Sequence, residues 1–191
     1  MAKAPVNLRS EASEQPAAVR PVVLVGLMGA GKSCVGRMLA KNLDLPFRDS
    51  DEEVEKAAGC SIPDIFEMYG EPAFRDCEKR VIQRMLDEGP AIIATGGGAF
   101  MDPDTRAAIH EKGTSVWLRV APEVLHKRTR KSKGRPLLQN GDPLETLRKL
   151  ADVRYPVYGE ADIIVESGDE GAESTVAKVL AVLRSAETGT N

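Results

Sequence analysis

Short apolar runs alternate along the chain with longer segments in which apolar residues recur at helical spacing. Runs of this length between helical patterns are typical of the strands of a parallel α/β sheet. The sequence has no internal repeat and no long linker, so the pattern predicts one domain. The five predicted strands are residues 21–25, 45–47, 91–94, 115–120 and 162–166.

End signals and apolar faces predict the helices between these strands. Ser61 with Asp64 has the pattern of a capping box, and Asp102 and Asp142, each followed by proline, have the pattern of helix N-caps. Helix ends are predicted at three glycines, Gly70, Gly89 and Gly113. The apolar faces are those of Val35, Met38, Leu39 and Leu43, and of Phe74, Val81, Ile82, Met85 and Leu86.

Composition narrows the class of protein. Of the 191 residues 42% are hydrophobic, and the formal net charge is −3. A chain of this length suits one domain, and a negative charge disfavours nucleic acid and anionic membranes as partners. No apolar run approaches the roughly 20 residues that a membrane span needs. We therefore expect a soluble, cytoplasmic protein in which a local basic cluster binds any anionic ligand.

The termini and the cysteines add little chemistry. The three cysteines lack CxxC spacing, and neither histidine is near one in the sequence, so no zinc site or disulfide framework is expected. Residues 1–20 are small and polar without an apolar signal core, which predicts a disordered tail. We expect the domain to cover residues 21–185 and residues 186–191 to be flexible.

Residues 26–33, GLMGAGKS, follow the first predicted strand and precede a helix. This is the G-x-x-x-x-G-K-[ST] pattern of a phosphate-binding loop in the context that it requires. Lys32 is expected to contact the outer phosphates of ATP, and Ser33 to ligate Mg²⁺. The alternative, a glycine-rich turn that binds nothing, does not explain a lysine and a hydroxyl at these positions. The predicted ATP-binding residues here are Gly29, Ala30, Gly31, Lys32, Ser33 and Cys34.

Asp49, Ser50 and Asp51 follow the second predicted strand. If the backbone stays extended, the two carboxylates point the same way, at the end of the sheet where parallel strands bind ligands. One can hold the water shell of Mg²⁺, and the other can accept a hydrogen bond or proton from a substrate hydroxyl. The alternative is a helix N-cap followed by an acidic first turn.

Two arginines are candidates for binding an acidic substrate. Arg75, next to Phe74, offers a fork of donors in a partly apolar setting, which suits a planar carboxylate. The alternative is an ion pair with Asp76 or Glu78 on a helix surface. Arg154, considered alone, is equally consistent with an ordinary surface arginine.

Two further segments are unusual. Gly96, Gly97 and Gly98 end a predicted buried strand, although glycine weakens strands, and a flexible turn is the plain alternative. Residues 127–141 carry six basic side chains before Pro136 and little apolar periodicity. Such a charge run is usually a solvated surface.

These segments together resemble the shikimate kinase family over residues 21–185. The resemblance implies an α/β three-layer sandwich of the nucleoside monophosphate kinase-like P-loop class, with a five-stranded parallel sheet in the order 2-3-1-4-5. It implies transfer of the γ-phosphoryl of ATP to the 3-hydroxyl of shikimate, with Mg²⁺, by a monomer. The segments, in the family's order, are GLMGAGKS, DSD, SIPDIFEMYGEPAFRDCE at 61–78, TGGGA at 95–99, RTRKSKGRPLL at 128–138 and R-x-P-x-Y at 154–158.

The resemblance also implies roles for individual residues. Arg75 and Arg154 are expected to bind the carboxylate of shikimate, Asp51 its ring hydroxyls, and Asp49 the Mg²⁺ ion through water. Backbone amides of the triple glycine are expected to face shikimate because a Cβ would occupy the substrate's place. The expected substrate-binding residues are Asp51, Arg75, Gly96, Gly97, Gly98 and Arg154.

The basic segment, at about 129–141, resembles the mobile lid of the family. There Arg135 is expected to stabilise the transferring phosphoryl group, and Arg128 to pack against adenine. Lys32, Asp51 and Arg135 are thus the expected catalytic residues. Gluconate kinase, which shares the fold and the loop, and a module that binds ATP without catalysis are the rival readings; TGGGA and the combination of DSD with FRDCE favour shikimate.

Overall fold

The structure, a computed structural model, describes residues 20–130 and 142–188, the last three by their backbone alone. Nearly all of the tail expected at 1–20 and most of the lid expected at about 129–141, including Arg135, lie outside the described residues.

Strands and helices alternate along the described chain. The strands are β1 (Val22–Val25), β2 (Phe47–Asp49), β3 (Ile92–Ala94), β4 (Thr114–Arg119) and β5 (Ile163–Glu166). The α-helices are α1 (Lys32–Leu43), α2 (Ser50–Ala58), α3 (Ile62–Asp87), α4 (Pro103–Lys112), α5 (Pro122–Thr129), α6 (Pro143–Tyr158) and α7 (Ala172–Thr188), and a short 3-10 helix covers Ala99–Met101. Helix α7 extends three residues past the domain limit expected at 185.

The five strands form one parallel sheet in the order β2-β3-β1-β4-β5, with helices on both sides, as predicted. The central strands β1 and β3 are buried along their whole length, which explains their unbroken apolar runs. Strand β3 lies between β2 and β1. The carboxyl ends of these three neighbours therefore bring the acidic, glycine-rich and phosphate-loop segments side by side.

Strand β2 lies two residues later than the predicted 45–47. Leu45 belongs to the turn after α1, since its amide donates to a carbonyl of that helix at 2.9 Å. Pairing with β3 begins at the Pro46 carbonyl, which accepts from the Ile92 amide at 2.9 Å. The later residues of this half-buried edge strand, Arg48 and Asp49, are polar, so the apolar pattern did not mark them as part of a strand.

The predicted N-caps and the helix ends at Gly89 and Gly113 are confirmed, whereas α3 continues past the end predicted at Gly70. Ser61 and Asp64 form a capping box, and the side chains of Asp102 and Asp142 accept hydrogen bonds from helix amides at the starts of α4 and α6. Gly70, with φ of 80°, kinks α3 into two helical parts. Gly89 follows the end of α3 with φ of 97°, and Gly113 caps α4.

Both predicted apolar faces point into the core. On α1, Val35 and Leu39 are buried, whereas Met38 and Leu43 are partly buried against them. All five residues of the second face, on α3, are buried. No helix within residues 20–130 and 142–188 is long and apolar enough to cross a membrane.

Candidate active site

The loop between β1 and α1 has the geometry of an anion site. Gly29 and Gly31 have φ of 84° and 91°, a region that side chains other than glycine disfavour. Gly31 occupies the N-cap position of α1, and no side chain caps the helix there. The first amides of α1 are therefore left for a ligand, and the helix dipole favours a negative one.

Lys32 and Ser33 begin α1 next to this loop. The Lys32 ammonium donates to the carbonyls of Gly26 at 2.8 Å and Leu27 at 3.1 Å. It therefore lies over the phosphate loop, where it is expected to contact the outer phosphates of ATP. The Ser33 hydroxyl donates to Asp49 Oδ2 at 2.7 Å. A hydroxyl beside a carboxylate fits Mg²⁺, which uses one or two carboxylates together with water and phosphate oxygens.

The described residues contain no cluster of three or more His, Cys, Asp or Glu side chains that could hold a metal alone. The Ser33–Asp49 pair would therefore depend on the nucleotide and water for the remaining ligands of a metal ion.

Three other residues expected at ATP lie around the same loop. Ala30 is buried within it, whereas Cys34 is exposed on the first turn of α1. Arg128 of α5 donates to the carbonyls of Gly29 at 3.5 Å and Ala30 at 3.4 Å, and to that of Gly168 after β5. Arg128 thus connects the phosphate loop to the segment that follows the edge strand.

The backbone turns into a helix immediately after Asp49, so the DSD segment does not stay extended. Asp49 is the N-cap of α2, and its Oδ1 accepts from the Asp51 amide at 3.1 Å. Asp51 lies in an acidic first turn, as the alternative interpretation proposed. The two carboxylates consequently reach different places: Asp49 contacts Ser33, and Asp51 lies beside Gly96.

Each glycine of the triple glycine lies against a charged side chain. A Cβ built there would lie within 3.2 Å of a charged group in every case. The contacts are 2.8 Å to Asp51 Oδ1 and 2.7 Å to Glu78 Oε1 at Gly96, 3.2 Å to Arg154 Nη1 at Gly97, and 2.6 and 2.7 Å to Arg75 Nη1 and Nη2 at Gly98. The expectation was that a Cβ would take the place of the substrate; the structure shows that it would first displace the protein's own polar side chains.

The Arg75 guanidinium is held by two carboxylates and an aromatic ring. Its Nη1 donates to Glu78 Oε2 at 2.7 Å, and its Nε and Nη2 donate to Glu71 Oε1 at 3.3 and 3.2 Å. The group lies 5.0 Å from the centre of the Phe74 ring. The pairing with Glu78 that the alternative interpretation foresaw does exist, but it is no surface pair, because the Glu78 side chain is only 4% exposed.

Two partly desolvated carboxylates face the same glycine. Burial raises the pKa of Asp51, and the nearby charge of Asp49 raises it further. Burial also raises the pKa of Glu78, against the opposing hydrogen bond and charge of Arg75. Glu78 Oε1 has no hydrogen-bond partner among the described residues. Glu78 was not predicted from the sequence as a site residue; its spacing of three residues from Arg75 was the available signal.

Buried hydroxyls hold the backbone of the triple glycine. Ser50 Oγ, fully buried, accepts from the Gly96 amide at 2.9 Å, so this amide is not available to a substrate as had been expected. The hydroxyl of Tyr158, also fully buried, donates to the Gly97 carbonyl. Arg154 Nη1 donates to the same carbonyl at 3.0 Å.

Arg106 of α4 holds the end of the same segment. Its Nη1 donates to the carbonyls of Phe100 at 2.9 Å and Met101 at 3.1 Å, and its Nε pairs with Glu160 at 2.9 Å. This arginine therefore ties the 3-10 helix after the glycines to the chain just beyond α6. Neither Arg106 nor the two hydroxyls were assigned roles from the sequence.

Comparisons with known proteins agree with this geometry. A family model described as "Shikimate kinase" matches residues 28–184. The shikimate kinase of Paramagnetospirillum magneticum is 59% identical over 161 residues, which cover 84% of this chain and 83% of that protein. The shikimate kinase of Caulobacter vibrioides is 54% identical over 171 residues, 90% of this chain and 86% of that protein.

Solved structures give the same result. The chain superimposes on "Shikimate kinase from Acinetobacter baumannii in complex with shikimate" with a TM-score of 0.84 and 37% identity, covering 91% of this chain and 96% of that one. A gluconokinase from Sinorhizobium meliloti has a TM-score of 0.59 at 18% identity, covering 88% of this chain and 94% of its own, and shares the fold alone. On the matched family model and these relatives, the chain belongs to the shikimate kinase family.

Proposed function

We propose that the chain transfers the γ-phosphoryl group of ATP to the 3-hydroxyl group of shikimate, giving shikimate 3-phosphate and ADP. The observation that carries this proposal is the meeting of two arginines and two carboxylates around Gly96, Gly97 and Gly98, next to a phosphate loop. Membership of the shikimate kinase family, whose members use ATP as a co-substrate, supports the same conclusion.

The acceptor would be bound through its carboxylate and its hydroxyl groups. Arg75 and Arg154 contact neighbouring glycines, so both guanidinium groups can bind one carboxylate with charge-assisted hydrogen bonds. Glu78 fixes the orientation of Arg75. Asp51, whose pKa burial raises, would orient the reacting hydroxyl and accept its proton late in the transfer.

The donor would lie on the other side of the triple glycine. A Cβ at Gly97 would be only 3.6 Å from the Gly26 carbonyl, so the phosphate loop adjoins the acceptor wall. Lys32 would release its loop carbonyls and donate to the outer phosphates, and Arg128 would pack against adenine. This proximity supports direct transfer by positioning and charge stabilisation.

We also propose that Ser33, and Asp49 through water, hold Mg²⁺. A bound Mg²⁺ ion would supply charge neutralisation on the phosphate oxygens. Arg135 is the proposed lid cation; it lies outside the described residues, and its role stays a prediction from the sequence. A cytoplasmic monomer likewise stays a prediction, and light scattering during size-exclusion chromatography measures the oligomeric state.

The test is ADP release by the purified protein with ATP and Mg²⁺, in the presence of shikimate, of gluconate, or of neither. We expect release only with shikimate, and its loss when EDTA removes the metal. Release with gluconate alone would make the chain a gluconate kinase. Release without an acceptor, or no release at all, would refute the proposed transfer.

A further inference from the structure

The triple glycine is held at successive peptide groups. The Gly96 amide donates to Ser50 Oγ at 2.9 Å, and the Gly96 carbonyl accepts from the Ala99 amide at 3.2 Å. The Gly97 carbonyl accepts from Tyr158 and Arg154. A segment that lacks side chains and follows a strand is thus fixed by neighbours rather than left flexible.

The direction of one carbonyl determines the direction of the next amide. The described chain has no cis peptide bond, and a trans peptide points its C=O and N–H in opposite directions. Holding the Gly97 carbonyl on Tyr158 therefore directs the Gly98 amide away from Tyr158. That amide donates to no protein acceptor within residues 20–130 and 142–188, so it is available to a ligand.

The two donors to the Gly97 carbonyl are not equivalent. Arg154 is the proposed partner of the substrate carboxylate, so its guanidinium group would be shared between Gly97 and the substrate. Tyr158 is fully buried, and its ring packs against Trp117 and Phe100 with centroid distances of 5.8 and 6.4 Å. Its hydroxyl can remain on the carbonyl when Arg154 turns to the substrate.

We propose that Tyr158 is a positioning residue for acceptor binding: its buried hydroxyl holds the Gly97 carbonyl and so keeps the Gly98 amide directed at the bound acceptor. The proposal rests on the proposed function. It assigns no chemical step to Tyr158, because the hydroxyl contacts backbone and not the reacting atoms.

Tyr155 provides a matched control on the same helix. Its hydroxyl also donates to a backbone carbonyl, that of Val120, and its ring also packs against Trp117, at 5.0 Å. Burial raises the pKa of both tyrosines, that of Tyr155 to about 12, so both hydroxyls are protonated donors at neutral pH. Val120 is not part of the triple glycine, so the two tyrosines differ in the target of the hydrogen bond, and Tyr155 is also the less buried of the two.

The experiment compares Tyr158→Phe and Tyr155→Phe with the wild-type protein. One lost hydrogen bond should raise both the KM and the calorimetric Kd for shikimate in Tyr158→Phe by roughly three- to tenfold. The KM for ATP should change less than about twofold in that variant, and Tyr155→Phe should leave both constants near the wild-type values. Melting temperatures check that both variants fold.

Three results would overturn the proposal: an unchanged shikimate constant in Tyr158→Phe, an equal rise in Tyr155→Phe, or an equal rise in the KM for ATP. The last two would indicate general loosening of the fold. The wild-type protein in the same assay keeps the two proposals apart. If it does not use shikimate, the proposed function fails; if it does and the variant is unaffected, only the role of Tyr158 fails.

Discussion

Gly98 lies directly against the guanidinium group of Arg75, with 2.6 Å between Arg75 Nη1 and the position that a Cβ would occupy. Its φ is −96°, which alanine adopts without strain. Replacing Gly98 by alanine therefore tests the contact with Arg75 without adding backbone strain. The contact with Arg75, and not a need for a flexible backbone, explains why a side chain is excluded at Gly98.

We expect Gly98→Ala to raise the KM for shikimate by about tenfold or more, because the displaced arginine loses charge-assisted hydrogen bonds worth roughly 1.5–3 kcal/mol. The KM for ATP should stay near the wild-type value. Gly171→Ala is the matched control, since a Cβ at Gly171 meets nothing within 4 Å. Steady-state kinetics with each substrate varied in turn measures both constants, and an unchanged shikimate KM in Gly98→Ala would refute the contact argument.

The buried carboxylate of Asp51 is expected to lower the stability of the folded protein at neutral pH. Because burial raises its pKa in the folded protein above 3.8, the folded state binds the proton more tightly than the unfolded state does. Stability therefore falls as pH rises from the unfolded pKa through the folded one, and the full cost is present above that window. The N-cap of α2 does not depend on this side chain, since Asp49 supplies it.

We accordingly expect Asp51→Asn to melt at a higher temperature than the wild-type protein at pH 7.5, with a difference that shrinks as pH approaches 4. Its activity should fall by about 10²-fold or more if Asp51 orients and deprotonates the hydroxyl. Asp76→Asn, at a side chain that is 67% exposed, should change neither property. A lower melting temperature for Asp51→Asn at pH 7.5 would contradict the sign of this effect.

The sequence predicted residues that belong to a recognisable motif, such as Lys32 and Ser33 in the phosphate-binding loop. It did not predict Ser50 or Tyr158, because their contribution is a hydrogen bond to backbone from a distant segment. Such a partner is defined by tertiary packing. A serine between two aspartates and a tyrosine in a helix carry no local sign of it.

Strands β4 and β5 are joined by side-chain hydrogen bonds at their amino ends, at the edge of the sheet opposite the candidate site. Asp162 Oδ2 accepts from the amide and hydroxyl of Ser115 at 2.8 and 2.6 Å, and Asp162 Oδ1 lies 3.1 Å from His110 Nδ1. Burial alone would raise the pKa of Asp162, but the hydrogen bonds from Ser115 and His110 outweigh it and lower the pKa below 3.8. The carboxylate thus stabilises the fold above the unfolded pKa, and this is lost as pH falls through the folded pKa.

We expect Asp162→Asn to lower the free energy of unfolding by about 1 kcal/mol at neutral pH, a hydrogen-bond value discounted for partial exposure. The loss should shrink as pH falls below 3.8 and vanish below the pKa of Asp162 in the folded protein, and kcat and both KM values should stay unchanged. Urea denaturation at several pH values measures the effect. Asp169→Asn, which removes an exposed pair with Lys127, is the control and should leave the unfolding midpoint unchanged; an equal loss there would remove the special role of Asp162.

Strands and helices were predicted well where burial produces a continuous apolar run or where a capping residue marks the helix start. The central strands β1 and β3 are continuous apolar runs, and the caps at Ser61 and Asp102 use side chains favoured at those positions. Strand β2 was misplaced because two of its three residues, Arg48 and Asp49, are polar and leave it without an apolar run. The helix start at Ser50 was left open because Asp49 both ends the strand and caps the helix.

For the whole molecule, the strand order decides which segments meet. The order β2-β3-β1 places DSD, the triple glycine and the phosphate loop on adjacent strands. No local pattern contains this order; it was expected from the family resemblance alone. The fold does not choose the acceptor either, because a gluconokinase shares it at 18% identity, whereas shikimate kinases reach 59%.

Phosphoryl transfer to one hydroxyl of shikimate can be tested by ³¹P NMR of the reaction product with ATP, Mg²⁺ and shikimate. We expect a new phosphate monoester signal whose coupling runs to the ring proton at carbon 3, growing together with ADP. Inorganic phosphate as the only new phosphorus product besides ADP, or an ester at another carbon, would contradict the account.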